Sequence, residues 1–292
     1  MAVLDSSTNT SMVPWRSEML RMGKLPSMGV RIYGQRSSGD NRPLVLHFHG
    51  GAFIGGTLDD GYVMARLLAD AGAVVISLDY PLAPDHPFPV AVEAGHAALE
   101  WLYKYENRYK LGGRAAKIYV AGEEAGGNLA AAVAMAARDR QRPKLSGQIL
   151  VSPMLNPMLA TASMRDANAG MKGCRWAEGW HHYLAKPSDA DHPYASPGTA
   201  ARLSELPPAL LLTAIDDPMR DDTFAFAQRL REAGVHAEGA VLPSPTGWPC
   251  ALLEHRSVDT PWAAETRQRF RQFFESVEAA QYASPAHASL SL

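Results

Sequence analysis

Short apolar runs and longer amphipathic stretches alternate along most of the chain. Leu44–Phe48 (LVLHF), Ala73–Leu78 (AVVISL), Lys117–Ala121 (KIYVA), Gln148–Ser152 (QILVS) and Ala209–Ala214 (ALLLTA) are near-continuous apolar runs of strand length. Helical patterns lie between and after them, over Tyr62–Ala71, Val90–Tyr105, Gly126–Arg138, Thr223–Ala233 and Ala263–Val277, with a last strand at Ala240–Leu242. Strands that are apolar on both faces and separated by helices predict an α/β fold with a mostly parallel sheet covered on both sides. Ligands in such folds sit at the carboxyl ends of the strands. The stretch from Asn156 to Pro208 interrupts the alternation. It carries Met158, Met164, Met171, Trp176, Trp180 and Tyr183, and is read as a small cap inserted over the pocket. Residues 1–26 are polar and mixed, with a short helix expected around Arg16–Arg21; the main domain is placed at 27–280, and 281–292 reads as a flexible tail.

Composition changes this picture little. A chain of 292 residues suits one α/β domain with a large core. A net charge of −2 gives no electrostatic footprint for nucleic acid or anionic lipid. Cys174 and Cys250 do not make a disulfide scaffold. The first residues, MAVLDSSTNTSMVPW, lack the basic and apolar regions of a signal peptide, and no apolar run nears the roughly 18 residues of a membrane span. The expectation is a soluble cytoplasmic protein with a small-molecule ligand or substrate, without nucleic acid, membrane, cofactor or metal.

The chemistry concentrates in loops that follow strands. His47-Phe48-His49-Gly50-Gly51-Ala52-Phe53 places small residues directly after a strand, where the backbone can turn its N–H groups into the site as an oxyanion hole. Asp79-Tyr80-Pro81-Leu82-Ala83-Pro84-Asp85-His86-Pro87-Phe88-Pro89 fixes a bend before the next helix. With these two motifs the chain closely resembles the hormone-sensitive-lipase type of bacterial esterase, which usually carries an arginine at the position of Pro81. The resemblance spans about Val30 to Phe274 and implies an α/β-hydrolase fold, with a homodimer compatible with what relatives do.

Gly122-Glu123-Glu124-Ala125-Gly126-Gly127-Asn128 has the frame of the nucleophile elbow, G-x-S-x-G, at a strand-to-helix junction. Relatives carry serine at the position of Glu124. The resemblance implies an oxyanion hole from Gly50, Gly51, Ala52 and Ala125, and a pocket lined by Phe53, Trp176, Trp180 and Trp248. Asp216-Asp217-Pro218-Met219-Arg220-Asp221 resembles the loop bearing the triad acid, which falls on Asp217, with Asp216 as the alternative. In Pro245-Thr246-Gly247-Trp248, Thr246 occupies the place of the triad histidine. His236 lies before the last strand, at the wrong end of the sheet, and His255 reaches the site only if the loop is rebuilt.

A serine esterase needs a hydroxyl nucleophile, a base and an orienting acid. Attack on an ester by a carboxylate would give an anhydride, a poor route to product. Carboxylate nucleophiles on this fold, in epoxide hydrolases and haloalkane dehalogenases, are aspartates helped by a histidine. The reading preferred from sequence is that Glu124 and Asp217 share one pocket with Thr246 nearby, so that one carboxyl is held protonated. That arrangement would support non-hydrolytic acid–base catalysis on a small carbonyl compound, such as dehydration, cyclisation, isomerisation or decarboxylation. The family includes a plant dehydratase with an altered nucleophile and a plant hormone receptor lacking the triad histidine. The alternatives are therefore a catalytically silent small-molecule-binding pseudoenzyme and an unconventional carboxylester hydrolase.

Overall fold

The computed structural model describes residues 14–21, 27–165, 170–243 and 245–282. Eight strands form one sheet: β1 (Trp15–Leu20), β2 (Met28–Tyr33), β3 (Leu44–Phe48), β4 (Val74–Leu78), β5 (Ile118–Glu123), β6 (Gly147–Val151), β7 (Ala209–Ala214) and β8 (Ala237–Leu242). Their order is β1-β2-β4-β3-β5-β6-β7-β8, with β1, β2 and β4 joined antiparallel and every later pairing parallel. The helices are α1 (Tyr62–Asp70), α2 (Val90–Tyr103), α3 (Tyr105–Gly112), α4 (Ala125–Asp139), α5 (Ala162–Arg165), α6 (Gly170–Tyr183), α7 (Arg220–Glu232) and α8 (Pro261–Tyr282).

Successive residues of a strand point to opposite faces, and this splits each apolar run between two cores. Leu44, Leu46, Phe48, Val74, Ile76, Leu78, Ile118 and Val120 join the layer formed with α2, α4 and α7. Val45, Val75, Tyr119, Ala121, Ile149 and Val151 join the layer formed with α1 and α8. Both layers exclude water, which is why the central strands carry no polar alternation.

The short helix expected around Arg16–Arg21 is instead the edge strand β1, paired with β2 from Trp15↔Tyr33 to Leu20↔Met28. Only Leu20 of this strand is buried, so its hydrophobic pattern carried little information. Ladder pairing decided its conformation, and the arginine and glutamate on it suit an exposed edge. The sheet therefore begins before residue 27. The predicted helix Val90–Tyr105 is broken at Lys104, whose extended ψ of 133° separates α2 from α3. Residues 283–292 of the expected tail, and the side chains of Met171 and Cys174, lie outside the described residues. Cys250 is a free thiol. No helix among the described residues is long and apolar enough to cross a membrane.

Parallel register brings the strand ends together. Phe48 pairs with Leu78 and Gly122, Glu123 with Val151, Val151 with Leu212, and Ala214 with Leu242. The loops that follow β3, β5, β6, β7 and β8 consequently emerge along one edge of the sheet, where sequence motifs far apart in the chain meet.

Candidate functional site

Glu124 stands at the apex of the turn between β5 and α4, with φ 53° and ψ −118°. A non-glycine residue in that region is strained, and it persists only where its neighbours over-determine it. Here they do: the Glu124 N–H donates to the Val151 carbonyl, and the Glu124 carbonyl accepts from the N–H groups of Gly127 and Met154. Gly126 is required on simple contact grounds. A Cβ there would lie 2.0 Å from the Phe48 carbonyl oxygen, so only glycine lets α4 start against the end of β3.

The loop after β3 is turned by three consecutive positive φ values, at Gly51 (128°), Ala52 (53°) and Phe53 (65°). That backbone aims successive N–H groups at β5, as an oxyanion hole requires. The Glu124 carboxylate occupies the hole. Its Oε2 accepts the N–H of Gly51 and, at 3.0 Å, that of Ala52, while its Oε1 accepts the Trp176 indole N–H of α6 at 2.6 Å. The side chain sits at the amino end of α4, whose dipole also favours an anion, and only 7% of the residue is exposed. Among the described residues the donors to this carboxylate are Gly51, Ala52 and Trp176, so two of the four residues expected in the hole bind it. Gly50 gives its N–H to Glu123 Oε1 at 3.1 Å, and Ala125 is the first residue of α4 without a bond to the carboxylate.

Glu123 and Glu124 thus hold consecutive amides of one loop. Glu123 Oε2 is in turn 2.8 Å from His47 Nε2, and His47 Nδ1 is 2.9 Å from Ser77 Oγ; all three residues are fully buried. Sequence reasoning missed this relay. The available signal was a histidine and a serine inside β3 and β4, at positions that pair directly as His47↔Ser77.

Asp217 is 1% exposed and accepts from Ser152 Oγ (2.8 Å), Thr213 Oγ1 (2.7 Å) and the Met219 N–H (2.9 Å). Burial pushes its carboxyl up to about 6; the three donors oppose that shift and the neighbouring Asp216 adds to it. Asp216 is the residue that meets Thr246. It accepts the Thr246 N–H at 2.9 Å, the Thr246 hydroxyl at 3.1 Å and the Gly247 N–H at 2.7 Å. Burial acts to raise the Asp216 carboxyl, and these bonds more than reverse it, holding it below its ordinary value.

Glu124, Asp217 and Thr246, expected to face one pocket, each have their own hydrogen-bond partners. Among the described residues no hydrogen bond joins Glu124 to either of the others, and Thr246 is tied to Asp216. The raised Asp217 arises from burial and Asp216, not from a proton shared with Glu124. His255 lies outside the site, with Nε2 2.9 Å from the Asp59 carbonyl oxygen and its ring on Tyr62, and His236 is exposed beside Glu238.

Of the expected pocket residues, Phe53, Trp176 and Trp180 are all at least 97% buried. Phe53 stacks on Tyr183 at 4.0 Å between ring centroids and meets Trp180 at 4.9 Å, so these rings join the cap to the loop. Trp248 is corrected: it packs edge-on against Trp262 at 5.3 Å in the α1/α8 layer, on the other face of the sheet. The cap helix approaches closely because Gly179 has no Cβ; one there would lie 2.1 Å from the Ala52 carbonyl oxygen.

This arrangement of strands and loops has many counterparts. Residues 45–245 match the alpha/beta hydrolase fold family. The esterase LipI of Mycobacterium tuberculosis is 36% identical over 223 residues, covering 74% of this chain and 69% of that protein. The carboxylesterase NlhH of the same species is 38% identical over 221 residues, covering 73% and 68%. Among solved structures, the thermophilic carboxylesterase EstE1 from a metagenomic library superposes with a TM-score of 0.79 at 28% identity, covering 91% of this chain and 90% of that one. Relatives named as ester hydrolases, at this level of identity, overturn the expectation of a non-hydrolytic acid–base catalyst. The geometry gives the physical reason: the two carboxyls meant to share a proton are bound to separate donor sets. From its sheet order, its elbow, its turned loop and these relatives, the chain belongs to the alpha/beta hydrolase fold family, in the hormone-sensitive-lipase-type branch that contains these esterases.

Proposed function

We propose that this protein is a carboxylester-hydrolase homologue whose ester site is occluded from within, so that it binds small acyl compounds without hydrolysing them at the rate of a serine esterase. One observation carries this reading: the Glu124 carboxylate occupies the hole in which an ester carbonyl would become an oxyanion. Glutamate replaces the serine of the family pattern, and Thr246 replaces its histidine. Of the histidines near the sheet edge, His47 is committed to Glu123 and Ser77 and His255 to Asp59, while His49 gives Nδ1 to the Gly50 carbonyl, keeps a buried Nε2 without a partner, and makes no hydrogen bond to Glu124. Without a hydroxyl and a base, the acyl-transfer route has neither nucleophile nor proton acceptor.

A second reading, carboxylester hydrolysis by an unconventional residue set, is favoured by the names of the relatives and by the retained loop, elbow and buried Asp217. Turnover of p-nitrophenyl acetate and butyrate separates the two, with Glu124→Ala as the control. The first reading expects rates within a few-fold of buffer and no labelling by a fluorophosphonate probe. Turnover well above buffer that disappears in Glu124→Ala replaces it with the second.

A further inference from the structure

The donors around Glu124 come from two places that owe nothing to each other in sequence. Gly51 and Ala52 lie on the loop after β3, and Trp176 lies on the cap helix. They also divide their work between the two oxygens: Oε2 rests on the loop amides and Oε1 on the indole. An ester carbonyl offers these donors one strong acceptor, and its other oxygen, alkylated, is a poor one. A carboxylate offers two equivalent anionic oxygens in a plane. The three N–H groups, with the amino end of α4 behind them, match the second shape.

We infer that Gly51, Ala52 and Trp176 together form a receptor for the carboxylate of a small aliphatic acid, in which Trp176 is the residue that selects acid over ester and Glu124 is the resident occupant. The inference rests on the occluded-site reading and specifies its ligand. It also gives the cap a role. Entry of another carboxylate requires Glu124 to leave, and leaving breaks the bond that ties α6 to the elbow. Close seating of Gly179 on Ala52 makes α6 the wall of the receptor, so the two events are coupled.

The test removes the occupant and refills the site. Glu124→Ala leaves three buried N–H groups without an acceptor and, with Cγ and the carboxyl group removed, space for a two-carbon acid. Isothermal titration of this variant with sodium acetate and sodium formate, at constant ionic strength with chloride as reference, is expected to show saturable one-site binding. Methyl acetate and acetamide are expected to bind at least tenfold more weakly. Trp176→Phe in the same background keeps an aromatic ring and removes the indole N–H. It is expected to weaken acetate at least tenfold and to leave methyl acetate within about twofold.

Acetate binding that Trp176→Phe does not weaken overturns the role of Trp176 while the occluded-site reading stands. A folded Glu124→Ala variant that binds none of these probes, yet hydrolyses p-nitrophenyl butyrate, overturns that reading itself. If it binds none and is also inactive, the receptor is overturned alone. Should Glu124→Ala fail to fold, a thermal double-mutant cycle with Glu124→Gln and Trp176→Phe decides. A glutamine that keeps its oxygen on the loop amides presents an N–H₂ group to the indole N–H. Trp176→Phe should then relieve part of the loss caused by Glu124→Gln, and strictly additive losses overturn the inference.

Discussion

Replacing Asp217 by asparagine should make the protein relatively more stable as pH rises, a counterintuitive result for a buried carboxylate with three hydrogen bonds. Asp217 is fully buried, and burial pushes its carboxyl from the ordinary 3.8 up to about 6. An acid whose folded-state value is raised binds its proton more tightly in the folded chain than in the unfolded one. Its contribution to stability is fully present below pH 4 and is lost as pH rises through about 6. A gap of about two units corresponds to about 3 kcal/mol.

Asparagine fits the same donors and acceptors. Its oxygen can accept from Ser152 and the Met219 N–H, and its N–H₂ can donate to the Thr213 hydroxyl, which turns to accept. Asp222, also raised to about 6 by burial, titrates in the same window. The informative quantity is therefore the difference between native chain and Asp217→Asn, which cancels that contribution. Urea unfolding followed by circular dichroism from pH 4 to 7.5 measures it. The difference should move by about 3 kcal/mol in favour of Asp217→Asn between pH 4 and pH 7. A difference that is flat within about 0.5 kcal/mol, or moves in the opposite direction, refutes the argument that burial dominates the titration of Asp217.

Other outcomes follow from the same contacts. Glu124→Ser alone should stay near background on p-nitrophenyl butyrate, because Thr246 stands at the place of the triad histidine and no histidine among the described residues is hydrogen-bonded to position 124; a rise above about 100-fold over the native chain would show that another base serves, His49 with its unpartnered Nε2 being the first candidate. Glu123→Ala strips acceptors from His47 and the Gly50 amide inside the core and should cost about 3–5 kcal/mol in urea unfolding, whereas Glu123→Gln, which keeps an oxygen for Gly50, should cost clearly less. Gly179→Ala places a methyl 2.1 Å from the Ala52 carbonyl oxygen and should cost about 1–3 kcal/mol, with faster amide exchange along α6 as the sign that the cap has lifted. His255→Ala should leave acyl-ligand binding unchanged, since its ring nitrogen is spent on Asp59.

Much of this architecture was readable in the chain. Long apolar runs between amphipathic stretches fit a sheet covered on both faces, the arrangement in which LVLHF and ALLLTA are completely buried here. The glycines around Glu124 and after His49 marked the two turns, since only those backbones tolerate the close approaches found at Gly126 and the positive φ at Gly51. Where the local pattern was weak, it misled: β1 has one buried residue, and its conformation came from pairing with β2.

Identity at a position is a property of sequence, while its partner is a property of the assembled fold. The sequence by itself determined that a glutamate stands in the elbow, that a threonine stands in the last loop, and that two aspartates follow β7. Only the tertiary structure decided that Glu124 turns into the loop amides, that Asp216 rather than Asp217 takes Thr246, and that Trp248 faces the opposite core. Hydrogen bonds are short and directional, so a rotation of one side chain exchanges its partners while leaving every hydrophobic period unchanged. The donor from α6 is the clearest case. Trp176 reaches Glu124 across 52 positions of sequence, and nothing in the local pattern of either segment announces the other.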